Sequence, residues 1–136
     1  MSLTFIHDFQ NRIYSSLSAD KEIMSIVQKI YIGTTQDGKS PFLLINISKA
    51  EDLSLHKVAL YTIDFQISAY AKDTNYNLLT KLSDIIIRNL AGINKLFSGY
   101  SIEGIKANDI CFDKAKDLVL NRLVINYKSF IRKEGD

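Results

Sequence analysis

The sequence predicts an α+β fold of two layers, a four- or five-stranded, largely antiparallel sheet with helices packed on one face. Three observations predict it. Phe5, Phe9, Ile13 and Leu17 recur every four residues, the spacing of a helical stripe. The stretch "ALYTIDFQISAYA", residues 59 to 71, alternates apolar and polar side chains over its whole length, as a strand does when one face is covered. A second helical stripe then follows, and strand-like segments close the chain. Helices at two places in a mostly hairpin-linked chain imply helices layered on a sheet.

Each element follows from its local pattern. In "SLTFIHDFQNRIYSSL" the stripe includes Ile6, and Ser2 can cap its start. "SADKEIMSIVQKI" repeats the arrangement, with Ser18 as candidate cap and Ile23, Ile26, Val27 and Ile30 as the apolar face. Two short helices, or one bent helix, therefore fill residues 3 to 29. "IYI" meets Gly33 and reads as a short extended piece, and "PFLLINIS" as a buried strand bounded by Pro41 and polar residues. In the long strand Tyr61, Ile63, Phe65, Ile67 and Ala69 point one way, and Thr62, Asp64, Gln66, Ser68 and Tyr70 the other. Leu78, Leu79, Leu82, Ile85, Ile86 and Leu90 make the next helix, capped by Asp73 or Thr74 and loosened at Gly92. After Gly99, "YSIEGIKANDICF" and "LVLNRLVINYKSFI" predict two strands joined by the turn "DKAKD". The helices should cover Leu123, Ile125 and Tyr127 together with the apolar face of the long strand. No repeat, low-complexity tract or linker interrupts the chain, so residues 1–136 are expected to form one domain.

Composition excludes several classes. A net charge of +2, with no Lys/Arg cluster, does not make a nucleic-acid groove. The 7 Tyr and 7 Phe fall at core-facing periods, not in a basic stripe of the kind that binds single strands. One cysteine forms no disulfide within the chain, and no apolar run is long enough to span a bilayer. The N-terminus lacks the pattern of a signal peptide, so a cytoplasmic protein is expected.

One motif invites a chemical reading. "GTTQDGKS" places Gly33, Gly38, Lys39 and Ser40 at the spacing of a phosphate-binding P-loop. That loop holds phosphate because it delivers it to a helix N-terminus. Here Pro41 biases Ser40 away from helix, and "FLLINI" is strand-like, so the helix is missing. Asp37-Gly38 is a turn signal in its own right. Asp64 alternates onto the polar side of its strand and needs no metal to explain it. His7 and His56 have no partner at metal-ligand spacing, and Cys111 reads as a small residue packed at a sheet face. Glu51, Asp52, Asp113 and Asp117 read as solvated turn residues. Nothing here defines a catalytic residue, cofactor or metal site.

The order of the elements resembles the tail completion, or tail terminator, family of tailed bacteriophages, with relatives in prophages and gene transfer agents. The resemblance runs from about residue 9 to residue 130. It is carried by "YSSLSADKEIMSIVQKIYIG", by "PFLLINI" after the loop, by "FQISAYAKDTNYNLLTKLSDIII" and by the final strand "LNRLVINYKSF". "IYIG", the Pro41-Phe42 step and the "SAYAKD" junction are its most telling pieces. The chain departs from many relatives in being rich in Ile, Asn and Lys, and loop 33–40 matches no pattern with a role.

The resemblance implies a non-enzymatic structural protein, made in the host bacterial cytoplasm and carried in the virion tail. Such subunits form a ring, by family precedent a hexamer, on the head-proximal end of the tail tube. The ring ends tube growth and joins tail to head. Implied partners are further copies of the chain, the tail tube protein and a head-tail connector or adaptor, with no nucleotide, cofactor or membrane. Contacts are expected from the sheet's polar side, its edges and loops 33–40 and 49–57. The candidate interface residues are Lys39, Glu51, Asp52, Asp64, Gln66, Arg122 and Lys128. Other readings are a different head-tail adaptor or tube-related protein, a small α+β ligand-binding or regulatory domain, and a P-loop enzyme.

Overall fold

In the computed structural model, which describes residues 3–34, 39–72, 76–114 and 120–134, the elements run α1 (Phe5–Ser18), α2 (Lys21–Ile26), β1 (Lys29–Ile32), β2 (Phe42–Asp52), β3 (Leu60–Ala71), α3 (Asn77–Ala91), β4 (Leu96–Phe97), β5 (Tyr100–Lys114) and β6 (Asn121–Lys133). The strands form one sheet in the order β1-β2-β3-β6-β5-β4. Every pairing is antiparallel except β1 with β2, which is parallel. The fold is therefore α+β with helices against a sheet, but the sheet has six strands rather than four or five. The sixth is β4, two residues joined to β5 by Ser98 and Gly99, both at positive φ (47° and 83°). Two such residues make the tight turn whose twist suits a hairpin.

The core lies on one side of the sheet. Phe5, Phe9, Ile13 and Leu17 of α1 are buried, as their spacing predicts, together with Leu79, Leu82, Ile85, Ile86 and Leu90 of α3. They pack on the Tyr61, Ile63, Phe65, Ile67 and Ala69 face of β3 and on Leu123, Ile125 and Tyr127 of β6. At the centre the Phe65 ring meets Phe9 edge-on at 5.5 Å and stacks on Tyr127 at 4.9 Å.

Several local expectations need correction. The break between α1 and α2 is set by Asp20, not Ser18: Asp20 Oδ1 accepts from the backbone N–H groups of Glu22 and Ile23 and caps α2. An aspartate does this better than the serine two residues earlier because its carboxylate accepts two N–H groups at once and carries charge against the helix N-terminus. β2 runs on to Asp52, so Glu51 and Asp52 are strand residues, not turn residues. The strand continues because β3 offers partners as far as Tyr61, whereas the polar composition alone suggested a loop. Asp113 likewise lies within β5. Ser2, Asp37-Gly38, Asp73, Thr74 and Asp117 lie outside the described residues.

Candidate functional site

The face of the sheet turned away from the helices gathers most of the polar residues that the sequence singled out. Alternation along β3 puts Thr62, Asp64, Gln66, Ser68 and Tyr70 there. The β3–β6 register sets Asp64 against Lys128, Gln66 against Asn126 and Tyr70 against Arg122. β2 adds Asn46, Lys49 and Glu51, and β5 adds Lys106, Asp109 and Asp113. Bulges at Ser48, Glu103 and Asn108 keep each set in phase with its neighbour.

The charges on this face are largely paired within the chain. Arg122 donates through Nε and Nη2 to the two oxygens of Asp113, a bidentate arrangement. The guanidinium holds the Asp113 carboxyl below the usual range, against a smaller upward push from burial. Lys49 Nζ lies 2.7 Å from Glu51 Oε1. Asp64 Oδ1 is buried and accepts no hydrogen bond among the described residues; Lys128 Nζ, at 3.9 Å, supplies its compensating charge. Gln66 donates to Ser48 Oγ at 2.9 Å and accepts from Asn46 Nδ2 at 3.3 Å. The face is thus a set of cross-strand pairs within the chain. Cross-strand register, invisible in the alternation, decides this.

Of the other candidates, Asp52 accepts from the backbone N–H of Ser54 at 2.8 Å and shapes the start of the β2–β3 hairpin. Lys39 is exposed beside Ser40, at the end of the sheet where Phe42 meets Tyr70 and Tyr70 meets Arg122, the opposite end from Asp52 and Tyr61. Ser40 and Pro41, with Ala71, Lys72, Asn77, Leu78 and Lys81, line an open cleft of about 650 Å³. The residues after Pro41 form β2, so the P-loop-like motif has no following helix.

The face is less uniformly polar than alternation implies. Thr62 and Ser68 are buried, and Phe42 is buried in a stack on Tyr70 at 4.6 Å. Cys111 is exposed rather than packed, because it sits on β5 near the sheet margin, where no strand covers it among the described residues. Sequence reading missed the apolar residues at the sheet's two far corners. Leu53, Leu55 and Val58 are exposed at the β2–β3 hairpin, and Ile110 and Phe112 on β5. The signal was present in "DLSLHKV", a short polar turn carrying three aliphatic residues.

Among the described residues no three His, Cys, Asp or Glu side chains group as a metal site, and no helix is long and apolar enough to cross a membrane.

No family model matches the sequence, and no curated protein does. Among solved structures, the chain superposes on a chain of the "Virion of native gene transfer agent (GTA) particle" with a TM-score of 0.79. The superposition covers 96% of this chain and 99% of that one, at 15% identity. Likeness at that identity establishes a shared fold.

Proposed function

We propose that this protein is a structural component of a phage-like particle, a one-domain tail terminator (residues 1–136) that acts without catalysis. Copies assemble into a ring, a hexamer by family precedent, on the head-proximal end of the tail tube. The ring ends tube growth and presents the surface that joins the tail to the head connector. One observation carries the reading: end-to-end correspondence of fold with a chain of a gene transfer agent virion, with almost nothing left over on either side. It is supported by the element order that resembles the terminator family, and by a surface of sheet margins and exposed apolar corners. Lys39, Glu51, Asp52, Asp64, Gln66, Arg122 and Lys128 belong to this proposal as interface residues. In it Asp64, Arg122 and Lys128 act through their in-chain pairs, which fix the polar side chains that a partner would meet.

The test is placement in the particle. An epitope-tagged chain, labelled with gold on purified particles, should mark one point at the head end of each tail. Label distributed along the tube would make it a tube-related subunit instead, and label absent from particles would remove the virion reading.

A further inference from the structure

The sheet has two unlike margins. On one side β1 pairs with β2 alone. On the other, β6 takes the inner edge of β5, and β4 pairs only with Tyr100 and Ser101. Among the described residues no strand covers the outer edge of β5 from Glu103 to Lys114, and none covers that of β1. Open edges are templates for pairing with another chain.

Cross-strand rows join the two margins. The row that begins at Lys29 runs through Phe42, Tyr70 and Arg122 and ends at Asp113. By the same register the row of Ile30 ends at Phe112, that of Tyr31 at Cys111, and that of Ile32 at Ile110. The four residues of β1 therefore share their levels with the last four of these β5 residues, and the two ends of each row lie on one face of the sheet.

The ends also match in chemistry. On the helix face Ile32 is 38% exposed, Ile110 38% and Phe112 50%, apolar side chains left uncovered at the two margins. The Tyr76 ring meets Phe112 edge-on at 5.3 Å, and the Tyr76 hydroxyl donates to the Asp113 carbonyl at 3.4 Å, so the start of α3 anchors this end of β5 without covering it. On the polar face the β5 margin carries Asp113, held by Arg122. The β1 margin carries Lys29, whose Nζ lies 5.2 Å from the centre of the Tyr31 ring and meets no carboxylate among the described residues. Carboxylate stands at one margin and an unpaired cation at the other, in the same row.

Direction agrees as well. β1 runs with β2, and each of the next three pairings reverses direction, so β1 and β5 run in opposite senses. A rotation about an axis along the strands preserves the sense, the face and the level of every row. Copies related in that way meet β5 margin to β1 margin, antiparallel, row to row and like face to like face. We infer that the β1 margin of one copy pairs with the β5 margin of the next, so that the occupant of each open edge is a second copy of this chain and the sheet runs on from copy to copy. Ile32 then packs against Ile110 and Ile30 against Phe112, and Lys29 extends the Arg122–Asp113 pair into a row of alternating charge. Joining unlike margins is heterologous, and such contacts propagate around a ring, whereas like margins stop at a dimer. The inference rests on the ring reading and names the surfaces that build it.

Disulfide trapping tests it, because native Cys111 shares a row with Tyr31. Residues directly opposed in an antiparallel pair bring their Cα atoms about 4.5–5.5 Å apart, within the span of a disulfide. One chain carries Tyr31→Cys with Cys111→Ser, and a second keeps Cys111 alone. Mixed under mild oxidation, they should yield chiefly the mixed dimer, and a chain carrying Tyr31→Cys with Cys111 retained should yield a ladder. Ile32→Cys with Cys111→Ser, on the opposite face, should trap Cys111 several-fold less. Lys29→Glu in the Tyr31→Cys chain should cut the mixed product several-fold by setting a carboxylate against Asp113. Circular dichroism establishes that each variant is folded. Disulfides confined to like pairs, none at all, equal trapping from Tyr31→Cys and Ile32→Cys, or a yield that Lys29→Glu leaves unchanged would each overturn the inference. If gold still marks the tail end while trapping fails, only the edge assignment falls. A ladder without label on the tail would leave self-association standing and remove the terminator role.

Discussion

Truncating Phe65 to alanine probes the layer on which the whole arrangement rests. Phe65 is fully buried at the middle of β3, between the edge of Phe9 on α1 and the stacked ring of Tyr127 on β6. Its ring therefore joins the helical layer to both central strands. Removing a buried phenylalanine costs about 3–5 kcal/mol, the transfer of the ring plus the cavity left behind. The upper part of that range applies here, because two aromatic contacts vanish together, each worth about 0.5–1.5 kcal/mol beyond burial. Neighbouring strands and α1 limit collapse into the gap. For a chain of 136 residues, unfolding entropy near 2.1 cal/mol/K per residue converts a loss of about 4–5 kcal/mol into a fall of about 14–17 °C in Tm. Thermal and urea unfolding followed by circular dichroism read it directly. A variant that melts within a degree or two of the parent would refute the assignment of this face of β3 to the core.

Tyr127→Phe should leave stability unchanged or raise it by about 1 kcal/mol, because the Tyr127 hydroxyl is buried with no hydrogen-bond partner among the described residues; a clear loss in urea unfolding would show a partner that these residues do not reveal. Asp20→Ala should cost about 1–2 kcal/mol by removing the cap of α2, measured in the same way. Burial pushes the Asp20 carboxyl up, but hydrogen bonds from Asn89 and from the N–H groups of Ile23 and Glu22, with the charge of Arg88, outweigh it and hold the group below its ordinary 3.8. A depressed folded value gives a contribution that is complete above the unfolded value and lost as pH falls through the folded one. Asp20→Asn should therefore flatten the acid limb of the stability–pH curve below about pH 4, and an unchanged limb would contradict this. ATP or GTP should show no micromolar binding by calorimetry, and Lys39→Ala should change nothing; saturable binding lost in that variant would reinstate the phosphate-loop reading.

The core was legible because it is periodic. Four-residue spacing at Phe5, Phe9, Ile13 and Leu17, and alternation from Tyr61 to Ala69, each report a covered face whatever packs on it. Two strands fall below that resolution. β4 is too short to show a period, and β1 owes its strand character to a parallel pairing with Phe42–Ile45 across a loop. The polar face was legible as a set of residues but not as a set of pairs. Whether Arg122 faces Asp113 or a neighbouring molecule depends on register, and each bulge shifts register by a residue without changing composition. Polar character also misplaced Glu51 and Asp52, since strand β3 extends its partner beyond what local propensity specifies. The apolar corners escaped for a related reason. A leucine in a turn reads as noise until the fold shows it exposed among the described residues.

The central claim is that this chain ends the growth of a tail tube, and tube length tests it most directly. Cognate tail tube protein should be assembled with and without this chain and imaged by electron microscopy. The account predicts tubes of limited length bearing a ring-shaped cap at one end when the chain is present, and longer, uncapped tubes in its absence. Equal length distributions and identical ends in both samples would contradict it.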